Sequence, residues 1–276
     1  MGALVQRLPA WLREPLSAFF AARGPHLAAM IAYFALLSLV PLVFISLSLL
    51  GLAGQARASS FLVTELEHAF PGSSIANIVR VVETVRDNAT ALGVAGGIGL
   101  AWSSLSLFSA LESAFNIVWG LPNRSFLRGK ARALVLLVVS LVTLFAALLA
   151  GSLGVGALQR FAPGAFGSAP AAYAISILGS TIGVLAILLA TDRTLTNTPL
   201  GWRDVLPGAI AATVALEATF QVLPVYLRLS NDVVALQVFG GPVVLLVWLF
   251  VMSNVIVLGA ELNRWLKARQ QTEIPR

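Results

Sequence analysis

One carboxylate falls in the middle of a long apolar stretch, where its chemistry would be that of a proton or cation site. Glu217 lies near the centre of the apolar run 205–227. A charged side chain at the centre of a bilayer is costly unless it is protonated, paired or facing water. Thr213 and Gln221, four residues before and after it, would share its face of a helix. We predict that Glu217 faces the interior of a helix bundle and not the lipid.

Two further polar pairs stand at the ends of apolar runs. Glu112 and Asn116 have helical i,i+4 spacing, and Glu261 and Asn263 end the last run. With Glu217 they predict an interior polar cavity open toward the cytoplasm. The alternative is a set of interhelical hydrogen-bonded clamps that hold the bundle together and transport nothing.

Breaks and polar residues within the runs complete the set of candidate cavity residues. A proline inside a membrane helix frees a backbone group that only protein or water can satisfy, so Pro41 predicts a kink in the first run. The other members of the set are Tyr33, Ser38 and Tyr226.

The elements that must position these residues are six long apolar runs. They cover residues 27–53, 91–118, 131–157, 171–190, 205–227 and 238–266. Each reaches the length of about 20 residues that a helix needs to cross a hydrocarbon core. Hydrophobic residues make up 58% of the 276 residues and charged residues 11%, which agrees with a membrane protein. We predict an all-α polytopic protein, with one domain of six transmembrane helices over residues 1–276.

Basic residues are distributed unequally between the two sides of this predicted bundle. Thirteen of the 18 lysines and arginines fall on one side. They lie in the segment 1–26, in the second and fourth connections, and in the C-terminal part from Arg264 to Arg276, which includes the tail 267–276. The positive-inside rule therefore places both termini in the cytoplasm. The net charge of +6 is thus mainly a topology signal, and no basic patch interleaved with aromatics indicates nucleic-acid binding.

This topology is testable with reporter fusions. We expect a reporter joined after Arg132 to be active only as a cytoplasmic fusion, and one joined within 54–90 only as an exported fusion. The reverse pattern would overturn the orientation.

The connection 54–90 is the longest. Its apolar residues have helical spacing on both sides of Pro71 and Gly72, which predicts an extracytoplasmic flap of two amphipathic helices. The flap would be either a cap packed on the ends of the spans or a lid that touches the outer leaflet.

Four bases precede the third run without an acid among them, namely Arg124, Arg128, Lys130 and Arg132. Each such base contributes about 1 kcal/mol of attraction to an anionic leaflet. They are candidate contacts for anionic phospholipid headgroups, or else determinants of topology alone.

Residues for other chemistries are sparse. The chain has no cysteine, and its histidines, His26 and His68, fall on opposite sides of the predicted membrane. We find no Asp/Glu/His cluster with metal-ligand spacing, no glycine-rich phosphate loop and no serine elbow. We therefore predict no catalytic residue, metal or cofactor, and a protein that is not an enzyme.

Several of these stretches resemble the YihY/virulence factor BrkB family of bacterial inner-membrane proteins. They are AYFALLSLVPL, SALESAFNIVWG, TNTPLGWRDVLPGAIAA, VYLRLSND and WLFVMSNVIVLGAELNRW. The similarity extends over nearly the whole chain. One departure is Phe239-Gly240, where the family pattern tends to have Tyr-Gly.

The resemblance implies a six-helix protein of the bacterial cytoplasmic membrane that is more like a transporter than an enzyme. We therefore expect a transporter or a translocase of lipids or other amphiphiles, with membrane lipid as its partner. The alternative is a non-transporting structural or assembly factor. An intramembrane enzyme, including the ribonuclease that an old label suggests for some members, is disfavoured by the residues above. The sequence leaves homo-oligomerisation open.

Overall fold

The computed structural model describes residues 9–52, 89–125, 127–140, 142, 169–229 and 234–272, and the regular elements within these ranges are all α-helices. We number them α1 to α7 along the chain. They are α1 Ala10–Ala21, α2 Gly24–Leu52, α3 Ala89–Val118, α4 (residues 127–140), α5 Ala169–Leu195, α6 Trp202–Leu229 and α7 Val234–Thr272.

Several of these helices have the length and apolar composition of membrane spans. Within the described ranges, three helical segments are long and apolar enough to cross a membrane: Gly97–Val118, Trp202–Val222 and Leu245–Gln271. A bent pair, Arg13–Ala21 with Gly24–Leu39, would make a fourth if it is a single broken span. The predicted all-α membrane protein is therefore confirmed, while the number of six spans stays a prediction.

Some predicted features lie outside the described ranges. The proposed flap 54–90 does so except for its last two residues, which begin α3. Of the third apolar run, only residues up to 140 and residue 142 are described. The fourth run lies within α5, which continues five residues beyond it.

The predicted N-terminal segment contains a helix that the apolar pattern did not indicate. α1 meets α2 at an angle of 69°. Arg23 adopts a left-handed backbone conformation (φ 57°) at the bend. Gly24 packs so closely beneath the Phe19 ring that a Cβ there would lie 2.2 Å from a ring carbon. A side chain at position 24 would therefore require the Phe19 ring to move.

α1 is held against the end of α7 by one carboxylate. Glu14 accepts a hydrogen bond from the Trp265 indole N–H at 2.7 Å and one from the Arg269 guanidinium at 3.3 Å. These contacts join residues near the two ends of the described chain.

The chain divides into two compact units. The first is Met1–Ala35, Ser106–Ala133 and Ser180–Arg276, and the second is Leu36–Leu105 and Leu134–Gly179. In the second unit, Pro41 packs beside Gly99, with 3.4 Å between the proline Cγ and a Cβ built on the glycine.

The core of the first unit lies between α5, α6 and α7. Leu188, Ala209, Ala212 and Leu216 are buried there, and Met252, Val255 and Ile256 pack against them. α6 and α7 approach most closely at Gly208 and Gly259, where a Cβ on Gly208 would lie 2.0 Å from the Gly259 carbonyl oxygen. The small residues allow this backbone contact.

Candidate functional site

Buried polar side chains gather in the first unit, where α3, α5 and α7 end and α6 begins. Arg124, in the connection after α3, forms an ion pair with Glu112 at 3.3 Å. Its guanidinium also donates to the carbonyl oxygens of Leu195 and Thr196, at the end of α5. We call Glu112, Arg124 and these two carbonyls the arginine clamp.

The surroundings of Arg124 explain why it needs several partners. Burial lowers the pKa of Arg124 and the nearby charge of Arg132 lowers it further, while the hydrogen bond and charge of Glu112 act in the opposite direction. A buried charge is tolerated when its hydrogen bonds are satisfied. The clamp thus ties the connection after α3 to the end of α5.

Asn116 makes a second link between the same segments. Its side-chain oxygen accepts the backbone N–H of Asn197 at 2.7 Å, and its amide nitrogen donates to Asn123 at 3.2 Å. Asn197 in turn donates to the Pro122 carbonyl oxygen at 2.9 Å. Three asparagines therefore join α3 to the connections that follow α3 and α5.

Asn263 organises a neighbouring group that we call the asparagine node. Its oxygen accepts the backbone N–H of Gly208 at 2.6 Å. Its nitrogen donates to the Asp192 carboxylate at 2.7 Å and to the Val205 carbonyl oxygen at 3.0 Å. The asparagine node joins α5, α6 and α7 through one fully buried side chain.

Glu261 is also fully buried, but its partners satisfy only one carboxylate oxygen. Arg264 donates to Glu261 Oε1 from Nε at 2.8 Å and also from Nη2. Glu261 Oε2 and the indole N–H of Trp119 are buried and have no hydrogen-bond partner within the described part of the chain. The predicted pairs Glu112 with Asn116 and Glu261 with Asn263 thus all lie in this polar region.

Glu217 lies apart from it, farther along α6. Its carboxylate is half-buried and accepts a hydrogen bond from Thr181 of α5 at 3.3 Å. Thr213 is buried and donates to the Ala209 carbonyl oxygen of its own helix at 2.7 Å, whereas Gln221 is exposed. The predicted polar stripe therefore runs from a buried to an exposed position.

The remaining candidate cavity residues lie elsewhere. Ser38 is buried in α2 and Tyr33 is exposed beside the Phe34 ring. Pro41 lies in the second unit, and the side chain of Tyr226 is outside the described set. A cavity of about 10 Å³ between Asp192, Gly208 and Ile256 has room for roughly one water molecule.

The four bases predicted to contact lipid differ in their surroundings. The Arg124 side chain is 9% exposed and is held in the arginine clamp, and Lys130 donates to Ser109 at 3.0 Å. Arg128 and Arg132 are exposed on one face of α4, with Arg132 3.5 Å from the Thr194 carbonyl oxygen. Arg193, at the end of α5, lies 4.1 Å above the exposed Trp202 ring.

Sequence reasoning did not single out Asp192, Gly208 or Gly259. Asp192 directly follows a threonine at the end of an apolar run, where an acid is unremarkable. The two glycines become partners only through the crossing of α6 and α7. Gly259 and Asn263 are four residues apart and therefore share one face of a helix. This spacing was the local feature that could have indicated that Gly259 lies beside the predicted site residue Asn263.

Comparison with known families matches residues 16–276 to the family described as Virulence factor BrkB. The chain belongs to this family. The matched range includes the ending GAELN, whose Glu261 and Asn263 are both buried in this structure. Within the described ranges, no three His, Asp or Glu side chains are placed to hold a metal ion.

Curated BrkB-family relatives are similar at low identity. The ribonuclease-like protein YfkH of Bacillus subtilis is 26% identical over 95% of this chain and 96% of its own length. The UPF0761 membrane protein PSHAa0171 of Pseudoalteromonas translucida is 26% identical over 100% and 92%. The UPF0761 membrane protein RSc1559 of Ralstonia nicotianae is 26% identical, but the chain spans only 56% of it. No solved structure matches at a significant level.

Proposed function

We propose that this BrkB-family membrane protein is a translocase of anionic amphiphiles, such as phospholipids, in the bacterial cytoplasmic membrane. The observation that carries the proposal is the pair of exposed arginines, Arg128 and Arg132, on one face of α4. Leu127, which is 79% exposed, stands beside them and offers apolar surface for an acyl chain. Each base near an anionic leaflet adds about 1 kcal/mol of attraction.

The position of Glu217 supports passage of the amphiphile's polar part through the protein, in addition to lipid binding at its surface. A half-buried carboxylate in a membrane helix is costly and is usually retained for a function. Its contact with Thr181 places two polar side chains between α5 and α6. An amphiphile would bind through its headgroup at Arg128 and Arg132, and its polar part would pass along a path that includes Glu217.

The test is a translocation assay with the purified full-length chain in proteoliposomes. A trace of fluorescent phosphatidylglycerol is distributed between both leaflets, and a membrane-impermeant reductant that quenches the fluorophore irreversibly is added outside. We expect nearly all of the fluorescence to be quenched, compared with about half in protein-free vesicles. Quenching limited to the outer leaflet in vesicles that contain folded protein would contradict the proposal.

The double variant Arg128→Gln/Arg132→Gln tests the headgroup site. We expect it to slow translocation of phosphatidylglycerol at least about tenfold, as the loss of two contacts of about 1 kcal/mol each implies. The matched control is Arg13→Gln/Arg23→Gln, which removes two bases from α1 and the bend that follows it. Equal rates in the two double variants would remove the arginine pair from the mechanism.

A non-transporting structural or assembly factor is the second candidate. The arginine clamp and the asparagine node favour it, because most of the predicted polar residues there are used to join helices. The cavity of about 10 Å³ is too small for a headgroup. Absence of translocation together with full stability of the reconstituted protein would support this candidate.

A further inference from the structure

Asp192 is a buried carboxylate at the end of α5, and the proposed translocation assigns no role to it. It is 5% exposed and lies two residues beyond the fourth apolar run, which ends at Ala190. It borders the small cavity, whose other lining residues are apolar side chains and glycines: Phe115, Leu188, Gly208, Ala209, Ala212, Ile256, Gly259 and Ala260. An ionised carboxylate in such surroundings requires compensation.

No cation provides that compensation among the residues that the structure describes. The nearest sequence neighbour, Arg193, donates instead to the Leu200 carbonyl oxygen at 3.2 Å and covers the Trp202 ring. Three further bases of this unit are ion-paired with other acids: Arg124 with Glu112, Arg264 with Glu261, and Lys267 with Asp204. What faces Asp192 is Phe115 of α3, Gly208 and Ala209 of α6, and Asn263 and Ala260 of α7.

The hydrogen bonds at its two oxygens differ. Asn263 cannot turn its amide around, because its oxygen accepts from Gly208 and its nitrogen donates to Val205. Asp192 Oδ2 therefore accepts a fixed hydrogen bond from Asn263 at 2.7 Å. This bond satisfies one carboxyl oxygen in either protonation state.

Oδ1 faces Thr196, whose single hydroxyl proton has a better acceptor. The Thr196 Oγ1 atom lies 2.6 Å from the Asp192 backbone oxygen but 3.4 Å from Asp192 Oδ1. With the hydroxyl proton directed to the backbone, Oγ1 presents a lone pair to Oδ1. Two lone pairs repel each other, whereas a proton on Oδ1 would make the contact a hydrogen bond.

We propose that Asp192 is a proton-binding site, a carboxylic acid whose Oδ1–H donates to Thr196 Oγ1. Burial raises the pKa of Asp192 to about 6, and the hydrogen bond from Asn263 limits the rise. Release of the proton leaves an uncompensated charge between α5, α6 and α7 and weakens their packing. The site does not depend on translocation.

The decisive measurement is infrared spectroscopy of the folded full-length protein with carbon-13-labelled aspartate. We expect a protonated carboxylic-acid band near pH 5 that disappears by about pH 8 and is absent in Asp192→Asn. The matched control Asp204→Asn removes an acid that is ion-paired with Lys267 at 2.8 Å, and it should keep the band. A wild-type spectrum without the band at pH 5, or a band unchanged in Asp192→Asn, overturns the proposal.

Thermal unfolding provides a second readout. Because the pKa is raised on folding, stability falls as pH rises from about 4 through 6 and is constant above that range. Between about pH 5 and pH 8 the unfolding equilibrium constant should increase on the order of tenfold. The increase should be absent in Asp192→Asn, which mimics the protonated state.

Should Asp192→Asn fail to fold, Thr196→Val addresses the same hydrogen bond. It keeps the carboxyl group and removes the proposed acceptor, so the carboxylic-acid band should persist but move to the frequency of a less hydrogen-bonded acid. A band at the wild-type frequency in Thr196→Val would show that the proton is not on Oδ1.

Discussion

Gly208→Ala is expected to destabilise the first unit strongly. The added methyl group would lie 2.0 Å from the Gly259 carbonyl oxygen and 2.6 Å from the Asn263 side chain. Neither a backbone carbonyl nor an asparagine fixed by three hydrogen bonds can move aside without separating α6 from α7. We expect a loss of about 3 kcal/mol or more in the free energy of unfolding, measured by denaturation in detergent.

Two other glycines give graded controls. A Cβ at Gly259 would lie 2.9 Å from the Gly208 carbonyl oxygen, so Gly259→Ala should be destabilising but less so. A Cβ at Gly183, in α5, would have no neighbour within 4 Å. Gly183→Ala should therefore be neutral or stabilising by up to about 1 kcal/mol, since alanine favours helix more than glycine does. Equal effects at all three positions would contradict the close crossing of α6 and α7.

Arg124→Met is expected to have a comparably large effect. It leaves Glu112 buried without its ion-pair partner and removes the donor for the Leu195 and Thr196 carbonyl oxygens. Breaking one side of a buried ion pair typically costs about 3–5 kcal/mol. The measurement is again the free energy of unfolding in detergent.

Arg128→Met is the matched control, because Arg128 is four residues farther along the chain and its side chain is exposed. Its effect should be within about 0.5 kcal/mol. In the double variant Glu112→Gln/Arg124→Met the uncompensated carboxylate is gone, so part of the lost stability should return. If Arg124→Met and Arg128→Met were equally stable, the arginine clamp would have no energetic role.

The sequence was informative about the membrane environment because apolar run length depends on local composition alone. It also identified Glu112, Asn116, Glu261 and Asn263 as polar residues at helix ends, and the structure brings them into one region. Their partners were not predictable, since the backbone of residues 195–197 and Gly208 reach them only through tertiary packing. The charge pattern likewise predicted the same lipid-contacting role for Arg124 and Arg128. In the structure only Arg128 is exposed, because exposure depends on the direction of each side chain.

The α1 helix is a second feature that depends on tertiary packing and was not predicted from the sequence. No apolar run marks it, and its position depends on Trp265 and Arg269, which follow Glu14 in the chain by about 250 residues. A single-sequence pattern has no means of relating residues so far apart.

The contact between Glu14 and Trp265 also has a consequence for biosynthesis. The ribosome adds Glu14 to the chain 251 residues before it adds Trp265, whose indole fixes that carboxylate. During insertion α1 therefore stays undocked until the end of α7 has emerged, so its docking requires that Trp265 has been made. A chain ended just before Trp265 would contain every apolar run almost in full and still leave its first helix without an anchor.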